Sequence, residues 1–163
     1  MSQGVIKLLF VNYQNEWYGK VITAVEKFAE KGKTDDGVNF DHVAFVIDGY
    51  LYEAVQPILH KLPYIDIDFG EGATLVEKDV TVPNIEAAKE FAEKMVGRPY
   101  GLLTSCVLGG IHDVFGATPS MGEYYFHSDC SQYGALTIRA GGLNIDPGTP
   151  GACITPRDLY DAT

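Results

Sequence analysis

Three side chains of the 163-residue chain are of types, and in settings, that could break an acyl bond: Cys130, His42 and Glu53. Cys130 lies in YYFHSDCSQYGAL, residues 124–136, where a polar stretch gives way to an apolar one. Ser128 reads as the N-cap of a helix over 129–139, with Gly141 and Gly142 as its stop, so Cys130 falls in the first helical turn. The backbone N–H groups of that turn and the positive end of the helix dipole favour thiolate over thiol. The same groups could hold the oxyanion of a tetrahedral intermediate. Position alone does not separate such a nucleophile from a core thiol, because cysteine is among the most often buried residue types.

A thiolate pathway needs an imidazole to accept the proton and return it to the leaving group. His42 opens HVAFVIDGYLYEAV, residues 42–55, two β-rich runs joined by Asp48-Gly49, the dipeptide that supplies positive φ for a tight hairpin turn. A two-residue turn sets His42 across from Val55 and Glu53 diagonally beside His42 on the same face. A carboxylate there could orient the ring and stabilise imidazolium. A three-residue loop would send Glu53 to the other face, and a His and a Glu on a hairpin are also ordinary cross-strand polar residues.

The elements that must position these groups follow from periodicity and punctuation. GVIKLLFV, residues 4–11, reads as a buried strand, and Asn15 as the cap of a helix carrying Trp17, Val21, Val25 and Phe28 on one face and closed by Gly32. Further strands are expected over 64–69 and 73–80, with 56–72 otherwise a loop without a motif. After Pro83, Asn84 caps IEAAKEFAEKMV, with Ile85, Ala88, Ala92 and Met95 on one face and Gly97 at its end. A short helix is expected over 102–110, and Thr155-Pro156 with Asp158 opens a last one.

The succession GVIKLLFV, HVAFVIDGYLYEA, AAKEFAEKMVGRPYG, DCSQYGAL and ITPRDL resembles the circularly permuted branch of the NlpC-type, papain-like cysteine hydrolases. That branch places the His strand first and the Cys-Ser helix late. The resemblance implies an α+β fold in which an antiparallel sheet packs against helices, with the catalytic Cys at a helix N-terminus. It implies Cys130 as nucleophile, His42 as general base and acid, Glu53 as the third polar residue, and Tyr100 of GRPYG as a residue lining the substrate cleft. Residues 104–123 do not align with the family. The implied activity is cleavage of an amide, including cell-wall peptide bonds, or of an acyl bond through a thioacyl enzyme, with no metal or organic cofactor. Acyl transfer to an alcohol or amine by the same Cys-His pair, and a non-catalytic binding module on the same fold, are the alternatives.

Other clusters carry less. Asp66, Asp68 and Glu77 match positions of a calcium loop, but Gly70 and Glu71 stand where a ligand and the turn glycine belong. His127 with Cys130 is one His-x-x-Cys spacing, without the second ligand pair that zinc requires, and His60 and His112 carry no surrounding pattern. Tyr124, Tyr125 and Phe126 read as a core strand, and Cys106 and Cys153 as small core hydrophobes.

Length and an apolar content of 46% suit one domain over 1–163. A net charge of −10 repels phosphate backbones and argues against a nucleic-acid partner. Three cysteines without a CxxC pair argue against a disulfide framework. The apolar run over 5–11, broken by Lys7, is too short for a signal peptide or a membrane span. The expectation is a chain that is cytoplasmic on synthesis and either reaches a wall substrate by lysis or on a larger particle, or acts on a cytosolic amide.

Overall fold

Ten residues of the first strand alternate between two covered faces, which is why GVIKLLFVNY reads as almost continuously apolar. The computed structural model describes residues 2–13, 40–55, 57–66, 69, 72–101, 129–145 and 154–163. Within them five strands, β1 (Gly4–Tyr13), β2 (His42–Ile47), β3 (Tyr50–Val55), β4 (Ile58–Pro63) and β5 (Ala73–Val82), form one antiparallel sheet in the order β4-β3-β2-β1-β5. Helices α1 (Ile85–Met95), α2 (Cys130–Ala140) and α3 (Pro156–Ala162) complete an α+β architecture.

Strand parity divides the interior. Ile6, Leu8 and Phe10 of β1, Val43, Phe45 and Ile47 of β2, and Tyr52 and Ala54 of β3 share the principal core with the buried faces of the helices. Leu9, Ala44, Val46 and Leu51 point the other way and gather beneath Tyr64 and Phe69. Helix α2 is held on the first face by Tyr133, whose ring meets Phe45 edge-on at 4.9 Å and whose hydroxyl donates to the Ala92 carbonyl of α1 at 2.7 Å. Burial of both Tyr133 and Tyr52 pushes their phenols well above the ordinary range, so they act as neutral donors. Tyr52 directs its hydroxyl to Glu93 of α1 at 2.8 Å.

The hairpin turn is the one that Asp-Gly predicts, with φ of 52° at Asp48 and 76° at Gly49. Asn84 caps α1 by accepting from Ala87 N–H, and Gly97, at φ 81°, follows its end. Thr155 and Asp158 form a reciprocal capping box at α3.

Two expectations are corrected. The strand expected over 64–69 is instead a 3-10 turn, Tyr64–Asp66, and the strand of this region is β4, inside the segment read as a loop. Edge position explains the miss, because β4 is only partly buried and carries His60 and Lys61 in mid-strand. The cap of α2 is Asp129, with extended backbone and a carboxylate accepting from Gln132 N–H, in place of Ser128. Aspartate caps as well as serine does, and the neighbour with the fitting φ/ψ takes the role. The expected helices after Asn15 and over 102–110, the aromatic strand at 124–126, and Ser128, Asp68, Cys106, Cys153, His112 and His127 lie outside the described residues.

Gly4 of β1 lies close against α1: an added Cβ would stand 2.6 Å from the branched Cβ of Ile85. Neither atom is the end of a flexible chain, so the backbones must move apart. Gly4→Ala is expected to lower unfolding free energy by about 1–3 kcal/mol, measured by urea denaturation, while Gly49→Asn, in open space at a positive φ that asparagine tolerates, costs well under about 1 kcal/mol.

Candidate functional site

The register of the hairpin decides what His42 can touch. Ala44 pairs with Glu53, and His42 lies two residues farther along the same face. Its Nε2 stands 3.6 Å from Glu53 Oε2, with the two side chains only 7% and 16% exposed. That separation is longer than a hydrogen bond, and among the described residues the buried ring nitrogen Nε2 has no hydrogen-bond partner. The imidazole is bordered on the β1 side by Tyr13, ring centroids 6.1 Å apart. Asp41 fixes the entry to β2: its N–H donates to the Val11 carbonyl and its carboxylate accepts from the Tyr13 N–H, both at 2.9 Å.

Cys130 is the first residue of α2 and is 5% exposed. The path of the helix follows from its glycines. Gly141 lies against Val82 at the end of β5, and Gly134 against Leu8 and Val43. The Cys130 thiol lies in the principal core, which includes Val43, whereas His42 alternates with Val43 and shares its side of the sheet with Ala44 and Glu53. The structure thus brings His42 and Glu53 together and buries Cys130 in the core of the opposite face.

Tyr100 is half-buried against the principal core, and its N–H donates to the Pro57 carbonyl at 3.0 Å beside the turn between β3 and β4. This is the end of the sheet that also holds Val11, His42 and Glu53. His42, Glu53 and Tyr100 therefore lie toward one end of the sheet.

The Asp-Cys-Ser run does more than supply a thiol. The buried Asp129 carboxylate accepts from Gln132 N–H at 2.6 Å, and Ser131 Oγ donates to the Ile154 carbonyl at 2.6 Å while lying 3.1 Å from Asp129 Oδ1. Ser131 thereby ties the first turn of α2 to the residue before the α3 cap, a role that only the tertiary structure reveals. An anionic cap also changes the electrostatics. Its negative charge opposes a thiolate on the next residue and offsets part of the helix dipole, so charge on Cys130 depends more heavily on a nearby cation. Among the described residues, no group of three or more His, Cys, Asp and Glu side chains is arranged to hold a metal ion, and no helix is long and apolar enough to cross a membrane.

Asp129→Asn keeps a capping oxygen and removes the charge, whereas Asp129→Ala removes both. Thermal unfolding should show Asp129→Ala destabilised by about 1–2 kcal/mol and Asp129→Asn much less, with thiol alkylation at Cys130 faster in Asp129→Asn than in the parent. Comparison with known proteins leaves the chemistry to the chain's own residues, since no family model, curated protein or solved structure matches it.

Proposed function

We propose that the chain is a cysteine hydrolase that cleaves an amide or acyl bond through a thioacyl enzyme, on a permuted papain-like arrangement with Cys130 as nucleophile, His42 as general base and acid, and Glu53 orienting the ring. One observation carries this reading: the buried His42–Glu53 pair, whose Nε2 faces a carboxylate at 3.6 Å and has no hydrogen-bond partner among the described residues. A buried polar atom left in that state is disfavoured unless it has work to do, and a catalytic hydrogen bond that is long in the unliganded protein shortens when charge develops. With Nε2 turned to Glu53, Nδ1 is the nitrogen that exchanges a proton with Cys130.

In this mechanism the Cys130 thiolate adds to the carbonyl carbon, and helix N–H groups of the first turn stabilise the oxyanion. Imidazolium at His42 then gives its proton to the departing amine or alcohol as the C–N or C–O bond breaks, leaving the acyl group on sulfur. Neutral His42 next takes a proton from water, the hydroxide adds to the thioester, and the thiol leaves with that proton. Glu53 remains ionised throughout and offsets the positive charge that forms twice on the ring. Tyr100, on the segment beside the turn between β3 and β4, is the residue suited to hold the acyl portion. The substrate class is a small amide or peptide, including cell-wall peptides. Passage of the acyl group to an added amine in place of water would mark a transferase, and product analysis separates the two.

The test is alkylation rate against pH with mass mapping of the modified thiol. Cys130 is expected to react fast well below about pH 8.5, the range of an ordinary thiol, and His42→Ala to slow it at neutral pH by about tenfold or more. Glu53→Gln should give an intermediate loss. Titration of Cys130 as an ordinary thiol, with no response to His42→Ala, would remove the catalytic reading and leave a binding module.

A further inference from the structure

A histidine side chain has two torsions, and the second is broad unless something fixes the plane of the ring. Hydrogen bonding does not fix it at His42 Nε2, which has no partner among the described residues and stands 3.6 Å from Glu53. Packing must then do so. The aromatic ring beside the imidazole is that of Tyr13, with centroids 6.1 Å apart and planes tilted by 40°. That separation lies within the range over which aromatic rings attract one another. Because His42 is buried, its neighbours and not solvent decide how the ring lies.

We propose that Tyr13 is a positioning residue of the hydrolase site: its ring holds the imidazole in the plane that presents Nε2 to Glu53, and Asp41 holds Tyr13 in that place. This deepens the hydrolase reading and rests on it. Asp41 is the buried residue before His42. Its N–H donates to the Val11 carbonyl while its carboxylate accepts from the Tyr13 N–H, both at 2.9 Å. The backbone that carries the imidazole is thereby tied to β1 on both sides of Asn12. Strand register agrees with the contact, since Val11 is the Cα partner of His42 and Tyr13 lies two residues farther along the same face, where it pairs with Ala73 of β5. Among the described residues, the titratable groups placed against the imidazole are the Tyr13 phenol from β1 and the Glu53 carboxylate from β3, with the Asp41 carboxylate turned to the Tyr13 N–H. An aromatic face restrains the ring without adding charge beside Glu53, so its loss costs orientation and leaves the pair itself in place.

A residue that orients the ring by its face must be replaceable by another aromatic. Two readouts on the full chain separate placement from function. One is the pair of carbon-bound ring-proton resonances of His42, assigned with His42→Ala, which the ring current of Tyr13 displaces. The other is the rate of Cys130 alkylation against pH. Tyr13→Phe should match the parent in both. Tyr13→Leu, which keeps apolar cover at the end of β1, should return the His42 resonances toward ordinary imidazole positions and slow Cys130 about fivefold near neutrality, with no change above about pH 9.5, where the thiol ionises unaided. Asp41→Asn keeps a side-chain acceptor for the Tyr13 N–H and should stay near the parent, whereas Asp41→Ala should lose part of both signals, a contrast that serves equally where Tyr13→Leu does not fold. An unchanged alkylation profile in Tyr13→Leu, or a loss in Tyr13→Phe equal to that in Tyr13→Leu, overturns the proposal. If His42→Ala and Glu53→Gln slow Cys130 while Tyr13→Leu does not, only the role of Tyr13 falls. If His42→Ala is also without effect, the hydrolase reading falls and takes the proposal with it.

Discussion

The register of the β2–β3 hairpin is the constraint on which the rest of the site depends. Two residues, Asp48 and Gly49, take positive φ, and this fixes the loop at two residues and pairs Ala44 with Glu53. One residue more in that turn would reverse the face of every side chain on β3, separating Glu53 from His42 and sending Tyr52 away from α1. The same parity that brings the imidazole to the carboxylate also gives Val43, Phe45 and Ile47 to the helices. The His42–Glu53 approach and the division of the core are therefore set by one turn.

Because parity is strict, it also imposes a requirement on the proposed mechanism. A thiol on the helix side and an imidazole on the opposite side cannot meet through the middle of a sheet, so the proposed pair must form at the end where β2 begins. The anionic cap at Asp129 adds to the requirement, since a thiolate there would stand beside a negative charge. The network around Ser131 and Ile154 shows that the helix start is held from behind, by the C-terminal segment, and not by the sheet alone.

Local signals in the sequence were strong where the structure is decided locally. The Asp-Gly turn, the Asn84 cap and Gly97 around α1, and the capping box at Thr155 and Asp158 are short-range chemistry and could be read directly. The diagonal from His42 to Glu53 was legible because it is fixed by the turn. β4 was not, since an edge strand with His60 and Lys61 at its centre lacks the clean alternation of a half-buried strand. The choice of Asp129 over Ser128 is a contest between two equally good capping residues in adjacent positions, which backbone angles decide and composition does not.

The order of elements along the chain has a temporal meaning. The five strands described lie within residues 4–82, and the helix that begins with Cys130 and the α3 segment bonded to its first turn follow them. During synthesis the sheet emerges first, its Val43, Phe45 and Tyr52 side still uncovered. Ribosome-bound chains thus pass through a sticky stage that ends when the helix beginning with Cys130 covers the exposed side.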